Sequence, residues 1–284
     1  MIDHYINDLL VPFDGSYKIS DSTTLNDTDE KESEKSLKKS IKKISKLQRK
    51  LLAQDKHSLL LVFQAMDAAG KDSTIRAVMT GIDPSGCQVF SFKKPSKLEL
   101  DHDFLWRSAT KLPERGRIGI FNRSYYEEVL VVKVHPELLK YQRLPKITEN
   151  IWQERYESIR DHEKHLSRNG TVIVKFWLNV SQEEQHRRFL SRIETQEKNW
   201  KFSHADLDES KHWPEYMNAY QDLLNETSRP WAPWYAIPAD NKKSMRAEVA
   251  QILLRTLENM PLAYPTLTPE DQAGLDEARK QLII

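Results

Sequence analysis

Five short apolar runs punctuate a chain that is otherwise patterned in helical periods. They fall at residues 59–63, 87–92, 117–121, 171–178 and 234–238, each of a length that suits a buried strand. Between them, apolar residues recur at helical spacing over 98–110, 124–132, 147–166, 181–194 and 211–228, with a last helical pattern at 244–258. Parallel neighbours need a crossover between them, and strands separated by helices supply it. The pattern therefore predicts an α/β fold: a five-stranded parallel sheet with helices on both faces. Its chemistry is expected at the carboxyl ends of the strands, where the connecting loops gather.

Outside this alternation the chain reads differently. Residues 22–36 are polar and acidic without apolar periodicity, which predicts a loop or linker. Leu37, Ile41, Ile44, Leu47 and Leu51 then recur at helical spacing among Lys38, Lys39, Lys42, Lys43, Lys46, Arg49 and Lys50. That is an amphipathic basic helix ending near Gln54. Two readings of its lysines stand: a solvated face above a docked apolar stripe, or a direct hold on a polyanion. Residues 261–269 read as an extended connector and 272–282 as a short terminal helix.

Length and composition narrow the class. A chain of 284 residues buries a substantial core, and one α/β domain with an appended helical segment fits it. Its 43 basic and 42 acidic residues leave a net charge of +1, so overall charge points to neither nucleic acid nor a membrane surface. A single cysteine, Cys87, rules out an internal disulfide framework and a cysteine-rich zinc site. The start Met1-Ile2-Asp3-His4-Tyr5 lacks the basic, apolar signature of a signal peptide, and no run reaches the roughly 18 apolar residues of a spanning helix. A soluble cytoplasmic protein is expected. His102, His135, His162, His165, His204 and His212 show no metal-ligand spacing.

The first apolar run leads directly into Gln64-Ala65-Met66-Asp67-Ala68-Ala69-Gly70-Lys71-Asp72-Ser73-Thr74 and then into the helical Ile75-Arg76-Ala77-Val78-Met79. Strand, loop, Gly-Lys and helix together make a P-loop. Its backbone N–H groups at Ala68, Ala69 and Gly70 converge on anionic oxygens, and Lys71 follows the transferring phosphoryl group. Two positions depart from the G-x-x-x-x-G-K-[ST] pattern: Ala65 replaces the first glycine and Asp72 the metal-binding hydroxyl. Ser73 and Thr74 follow within one turn. Asp67 offers a hard oxygen for Mg²⁺ inside the loop. A Gly-Lys at a helix start also occurs without phosphate binding, and the strand context argues against that here.

The third run ends in Asn122-Arg123-Ser124-Tyr125-Tyr126-Glu127-Glu128. Asn122 stands where a second metal-positioning acid is expected, and an amide cannot neutralise metal charge, so Asp67 and Glu127 are the candidate metal carboxylates. Asn122 reads equally as a strand-end turn residue. Arg123 is placed to face phosphate oxygens. Ser181-Gln182-Glu183-Glu184 has capping-box spacing and starts a helix carrying Arg187, Arg188 and Arg192. Nucleotide kinases close such an arginine-bearing lid over the transferring group, and the alternative is a set of ordinary surface arginines. Lys93, Lys94, Lys97, Arg107, Lys111, Arg115 and Arg117 form a basic stretch, either solvated or a track for a long polyanion. The tryptophans Trp106, Trp152, Trp177, Trp200, Trp213, Trp231 and Trp234 read as core or subunit-interface residues in preference to base-stacking platforms. The expected division is an extension over 1–56, a P-loop domain over 57–260 with its lid at about 181–205, and a tail over 261–284.

Together with Gly86-Cys87-Gln88-Val89-Phe90-Ser91-Phe92-Lys93, Pro113-Glu114-Arg115-Gly116-Arg117, Asn199-Trp200-Lys201, Ala232-Pro233-Trp234 and Pro238-Ala239-Asp240-Asn241-Lys242, these motifs make the chain resemble the second family of polyphosphate kinases over roughly 37–257. The resemblance implies a thymidylate-kinase-like P-loop fold. It also implies reversible transfer from inorganic polyphosphate to adenine and guanine nucleotides with Mg²⁺, or Mn²⁺ as a substitute, in a homo-oligomer, dimer or tetramer. Ala-Met-Asp in the loop and Asn-Arg-Ser-Tyr-Tyr-Glu-Glu after the third strand resemble the subgroup that accepts both AMP and ADP (class III). Many family members carry aspartate where Asn122 stands. The resemblance gives Asp67, Lys71, Arg123, Glu127, Arg187 and Arg188 the catalytic roles. The loop residues Ala68 to Thr74, Lys93, Lys94, Arg117, Asn122 and Arg192 become candidates for binding nucleotide or polyphosphate. An ATP-dependent nucleoside monophosphate kinase is the alternative that shares loop, sheet and lid.

Overall fold

The computed structural model describes residues 8–283, so the start read above from Met1 to Tyr5 lies outside them. Five strands form one parallel sheet: β1 (Ser58–Gln64), β2 (Cys87–Ser91), β3 (Ile118–Asn122), β4 (Thr171–Asn179) and β5 (Trp234–Pro238). They lie in the order β2-β3-β1-β4-β5. β1 pairs with β3 on one side and β4 on the other, and every residue of it is buried. That central position explains its uninterrupted apolar run, because helices cover both faces.

The main helices are α1 (Glu30–Gln54), α2 (Lys71–Met79), α3 (Ile151–Arg168), α4 (Gln182–Glu194), α5 (Trp213–Thr227), α6 (Lys242–Asn259) and α7 (Pro269–Leu282). α1 begins inside the segment expected to be a loop. The Asp29 carboxylate accepts from the backbone N–H groups of Lys31 and Glu32, both at 3.0 Å, and this cap starts the helix before the apolar period becomes visible. Ile44 and Leu51 of α1 are fully buried, and the helix packs along α6. Its lysines face outward, Lys43 reaching Glu258 across the α1–α6 seam at 3.5 Å. The apolar stripe of this helix is docked, and its lysines are left on the outer face.

The helical pattern over 98–110 resolves into two single turns, Lys97–Leu100 and Trp106–Ala109. Ser96 and Glu99 form a capping box for the first. Asp103 then accepts from the Leu105 N–H at 2.9 Å, a local bond that restarts the chain in place of a continuous helix. The 124–132 pattern is likewise a 3₁₀ turn, Tyr125–Val129, followed by a single α-turn, Val131–Val134. α7 has no buried residue. Trp177 and Trp234 are core residues, whereas Trp200 is 79% exposed on this chain. Among the described residues, no helix is long and apolar enough to cross a membrane.

A buried polar node ties these layers together. Lys175 of β4 donates from Nζ to Glu163 of α3 (2.7 Å), the Tyr126 hydroxyl (2.8 Å) and the Thr227 carbonyl (2.8 Å). Tyr125 and Tyr126 both donate to the same Glu163 oxygen, at 2.9 and 2.8 Å. Every charged atom is paired, as burial demands. The node therefore fixes the turn that follows β3, and that turn carries part of the site.

Candidate active site

Because β1 and β3 are adjacent and parallel, with Phe63 opposite Asn122, their carboxyl ends deliver two loops to one place. The loop after β1 runs over 65–70 and closes on α2. Gly70 caps α2 with φ +110°, a backbone conformation that favours glycine, and a Cβ there would stand 3.2 Å from the Met245 methyl. Ala68 and Arg123 also sit in the left-handed region, each at φ 61°. Such a conformation costs of order 1–3 kcal/mol for a residue with a side chain. It is held at Arg123 by a backbone bond from its N–H to Phe63 O at 3.0 Å.

Lys71 is folded back into the loop, donating to the carbonyls of Ala65 (2.6 Å) and Met66 (3.2 Å). Burial lowers the Lys71 ammonium from its ordinary value, and the Asp67 charge offsets part of that. Arg123 donates from Nη2 to Asp67 Oδ1 at 2.6 Å, while its Nη1 lies 4.0 Å from Glu127 Oε2. Glu127 and then Asp67 outweigh burial and raise the Arg123 guanidinium. Burial pushes the Asp67 carboxyl up, but Lys71 and Arg123 outweigh it and hold the group below the usual carboxylate range. Two carboxylates and two basic side chains thus meet within one small, partly dehydrated volume.

Two glutamines complete the lining. Gln64 Nε2 donates to Glu127 at 2.8 Å, and Gln185 Nε2 donates to the Asp67 carbonyl at 2.9 Å. The amide oxygens of both are buried without a hydrogen-bond partner. Hard carboxylate oxygens on Asp67 and Glu127, with neutral amide oxygens beside them, are the donor chemistry that suits Mg²⁺. That ion takes one or two carboxylates and completes its shell with water and phosphate. Among the described residues there is no cluster of three or more His, Cys, Asp or Glu side chains able to cage a metal by themselves.

The other residues singled out in the sequence divide into those near the loop and those away from it. The Asn122 amide donates to Asp72 at 2.6 Å, so the strand-end amide holds the acid that replaced the usual hydroxyl residue. Ser73 bonds back to the Gly70 carbonyl at 3.0 Å, and Thr74 is buried against Met245. Arg188 is buried, donating to the carbonyls of Ala68 (3.1 Å), Ala69 (2.6 Å), Ala239 (2.6 Å) and Asp240 (3.1 Å) and pairing with Glu184 at 2.5 Å. It clamps the outside of the loop. Arg187 is 70% exposed and pairs with the same Glu184, so it is not brought to the loop. Arg192 pairs with Asp206 at 3.1 Å, and its charge contributes to the lowering of Asp67.

Lys93 and Lys94 follow the carboxyl end of β2 and are exposed there. Arg117 is a correction. It precedes Ile118, the first residue of β3, and therefore lies at the amino end of the sheet, away from the loop. There its guanidinium donates to the Ser85 carbonyl. Arg115 is also at that end, bonded to the Lys56 carbonyl at 2.7 Å. The basic stretch thus does not form one continuous track, because β3 runs through it.

Sequence reasoning missed Gln64, Gln185, Glu184 and Asp206. Gln64 was visible as a polar residue ending an apolar strand, and Gln185 and Glu184 as residues one turn before the arginines. Asp206 carried no signal, because its position depends on how the 3₁₀ turn Gln196–Lys201 folds back toward α4.

Comparison with known proteins bears on this geometry. The family model described as Polyphosphate kinase 2 matches residues 27–264. An ADP-polyphosphate phosphotransferase of Rhodopseudomonas palustris is 54% identical over 243 residues, covering 84% of each chain. An AMP/ADP-polyphosphate phosphotransferase of Meiothermus ruber is 43% identical over 222 residues, covering 78% of this chain and 80% of the relative. The crystal structure of polyphosphate kinase 2 from Arthrobacter aurescens superposes with a TM-score of 0.88 at 33% identity, covering 96% of this chain and 95% of that one.

Proposed function

Since the chain belongs to the polyphosphate kinase 2 family, we propose that it transfers the terminal phosphoryl group of inorganic polyphosphate to AMP and ADP, reversibly and with Mg²⁺. Guanine nucleotides are proposed as further acceptors. We place the work in the cytoplasm on the single cysteine, and in a homo-oligomer on the strength of the family resemblance. The observation that carries the mechanism is the Asp67–Arg123–Glu127 bridge beside the buried Lys71.

Phosphoryl transfer leaves the protein little covalent work, and positioning with charge compensation supplies the rate. Donor and acceptor are both polyanions, so bringing their oxygens together is the main barrier. The loop N–H groups at the start of α2 and the Lys71 ammonium take the reacting end of the donor. Arg123, already oriented by two carboxylates, presents its remaining N–H groups to an equatorial or acceptor oxygen. A nucleotide phosphate oxygen is anionic and attacks without a general base. Asp67 and Glu127 would hold Mg²⁺, which when bound neutralises charge on the transferring group. Arg188 keeps the loop backbone in its strained form, and Arg187 stands exposed on the same helix, paired with Glu184.

The test offers polyphosphate with AMP, ADP, GMP or GDP and Mg²⁺ and resolves the nucleotides formed by anion-exchange chromatography. New diphosphate from AMP and new triphosphate from ADP are expected. Transfer from ATP to a monophosphate with none from polyphosphate would instead make the protein a nucleoside monophosphate kinase.

A further inference from the structure

The segment before α1 is built into the sheet. Leu10 pairs antiparallel with Tyr235 on the outer edge of β5, the Val11 N–H donating to the Trp234 carbonyl (2.9 Å) and the Ala236 N–H to the Leu9 carbonyl (2.8 Å). Val11 is fully buried, and its carbonyl accepts from the Ser228 hydroxyl at 2.8 Å. The chain then crosses α5, where Gln221 accepts from the Ile19 N–H (2.9 Å) and Asn225 donates to the Tyr17 carbonyl (3.1 Å). At the carboxyl end of β4 the Asn179 amide donates to the Ser22 hydroxyl and the Thr23 carbonyl, at 2.9 and 3.0 Å. Residues 9–24 are therefore a strap that covers one edge of the sheet and ends beside the site.

The strap ends on Asp240, whose N–H donates to the Thr24 carbonyl at 2.9 Å. The Asp240 carboxylate accepts from the Ser181 N–H at 2.8 Å. Ser181 is the N-cap of α4, its hydroxyl accepting from the Glu184 N–H at 3.1 Å, so Asp240 holds the residue on which this helix starts. The Asp240 carbonyl accepts from Arg188 at 3.1 Å, beside the Ala239 carbonyl at 2.6 Å. One residue thus joins the strap, the first turn of α4 and the arginine that clamps the loop. The Arg188 guanidinium is planar and rigid, with two carbonyls on the Asp240 side and those of Ala68 and Ala69 on the other. A shift of Asp240 or of the start of α4 is therefore passed to the loop backbone.

We infer that Asp240, braced by the strap over 9–24, is a positioning residue for phosphoryl transfer: through Ser181 and Arg188 it sets where the Ala68–Gly70 backbone meets the reacting phosphates. The inference rests on the proposed activity, which seats the donor in that loop. A loop displaced by a fraction of an ångström still attracts a polyanion by charge, whereas the alignment that the chemical step needs is lost. The signature of Asp240 is therefore a loss in kcat with little change in KM.

The experiment measures kcat and KM for polyphosphate and ADP, well below the melting temperature, in wild type, Asp240→Ala, Asp240→Asn, Asn179→Ala, Arg188→Lys and the double variant Asp240→Ala/Arg188→Lys. Asp240→Ala is expected to lower kcat about tenfold, with both KM values within about twofold of wild type. Asp240→Asn keeps an acceptor oxygen for the Ser181 N–H and should recover most of the loss. Asn179→Ala frees the strap at Ser22 and Thr23 while leaving Asp240 in place, and should lower kcat about threefold. Because Asp240 acts through Arg188, the double variant should fall little further than Arg188→Lys alone. Melting temperatures check folding, and Asn179→Ala carries the test should Asp240→Ala not fold. Wild-type kcat in folded Asp240→Ala or Asn179→Ala, a loss carried by KM, equal damage in Asp240→Ala and Asp240→Asn, or effects that multiply in the double variant each overturn the inference. Wild type that uses ATP and not polyphosphate overturns the donor reading instead, and the same comparison is then made with ATP as donor.

Discussion

Arg123 donates to Asp67 across 2.6 Å from a backbone held at φ 61°. The strain places the guanidinium where it bridges a loop carboxylate and Glu127, two acids that would otherwise repel each other. Removing it leaves Lys71 as the remaining cation against Asp67 and only the Gln64 amide on Glu127, beside the incoming phosphates. Arg123→Ala is expected to lower kcat by about 10²–10³-fold, and Arg123→Lys to recover only part, since a point charge cannot make both contacts. Steady-state assay with polyphosphate and ADP measures this; loss confined to KM would show that Arg123 binds ground state and transition state alike.

Lys71 and Asp67 are expected to act on the chemical step. Lys71→Ala and Asp67→Ala should each lower turnover by orders of magnitude while the far-UV spectrum stays native. Near-normal turnover in either variant would remove that residue from the site.

Arg187 and Arg188 should separate cleanly. Arg188 is buried and bonded to four backbone carbonyls on the loop and before α6, and its loss leaves those carbonyls unanswered and Glu184 with Arg187 alone. Arg188→Ala is expected to cost about 3–5 kcal/mol of stability together with activity. Arg187 is exposed, so Arg187→Ala should lower kcat without lowering the melting temperature. Equal melting temperatures for the two variants would refute the clamp.

Much of this was legible in the sequence for a physical reason. The strands are buried on both faces and so appear as plain apolar runs, and the phosphate loop announces itself through Gly70-Lys71 after β1. What was not legible depends on side chains meeting from distant segments. Asn122 in the sequence is an amide in the place of an acid; only the fold shows it bonded to Asp72, fifty residues away. Arg117 belonged to the basic stretch by spacing, but the parallel register sends it to the opposite end of β3 from Asn122. Arg188 looked like a lid residue because a helical period cannot tell which arginine turns inward. The start of α1 was hidden because its cap, Asp29, lies in an acidic stretch without apolar period.

The Asn122–Asp72 contact makes the next prediction. Asn122→Asp places a second carboxylate 2.6 Å from the first in the native geometry, and like charges this close raise one carboxyl pKa and destabilise the site. A drop of about 1–2 kcal/mol, or a few degrees in Tm, is expected in metal-free buffer. Added Mg²⁺ should restore part of it by answering the new charge. A Tm insensitive to Mg²⁺ in the variant would show that a cation does not reach this pair.

Lys175 gives a pH dependence with a definite sign. Burial pushes its ammonium down to about 8 from an ordinary 10.5, despite the Glu163 carboxylate at 2.7 Å. Below about pH 8 the lysine is protonated in both folded and unfolded chains, and the folded state bears the full desolvation cost. As pH rises from about 8 toward 10.5, the folded protein releases this proton while the unfolded chain keeps it, so the unfolded state binds more protons and stability rises. Lys175→Met lacks this term. Urea unfolding across pH 7.5–9.5 should therefore show wild type gaining about 2 kcal/mol relative to the variant. The gain should also carry over to the turn that Tyr126 anchors, because Tyr126 shares the Lys175 node. A constant difference across that range would mean that the ammonium keeps its proton inside the core, with Glu163 and the tyrosines offsetting its burial in full.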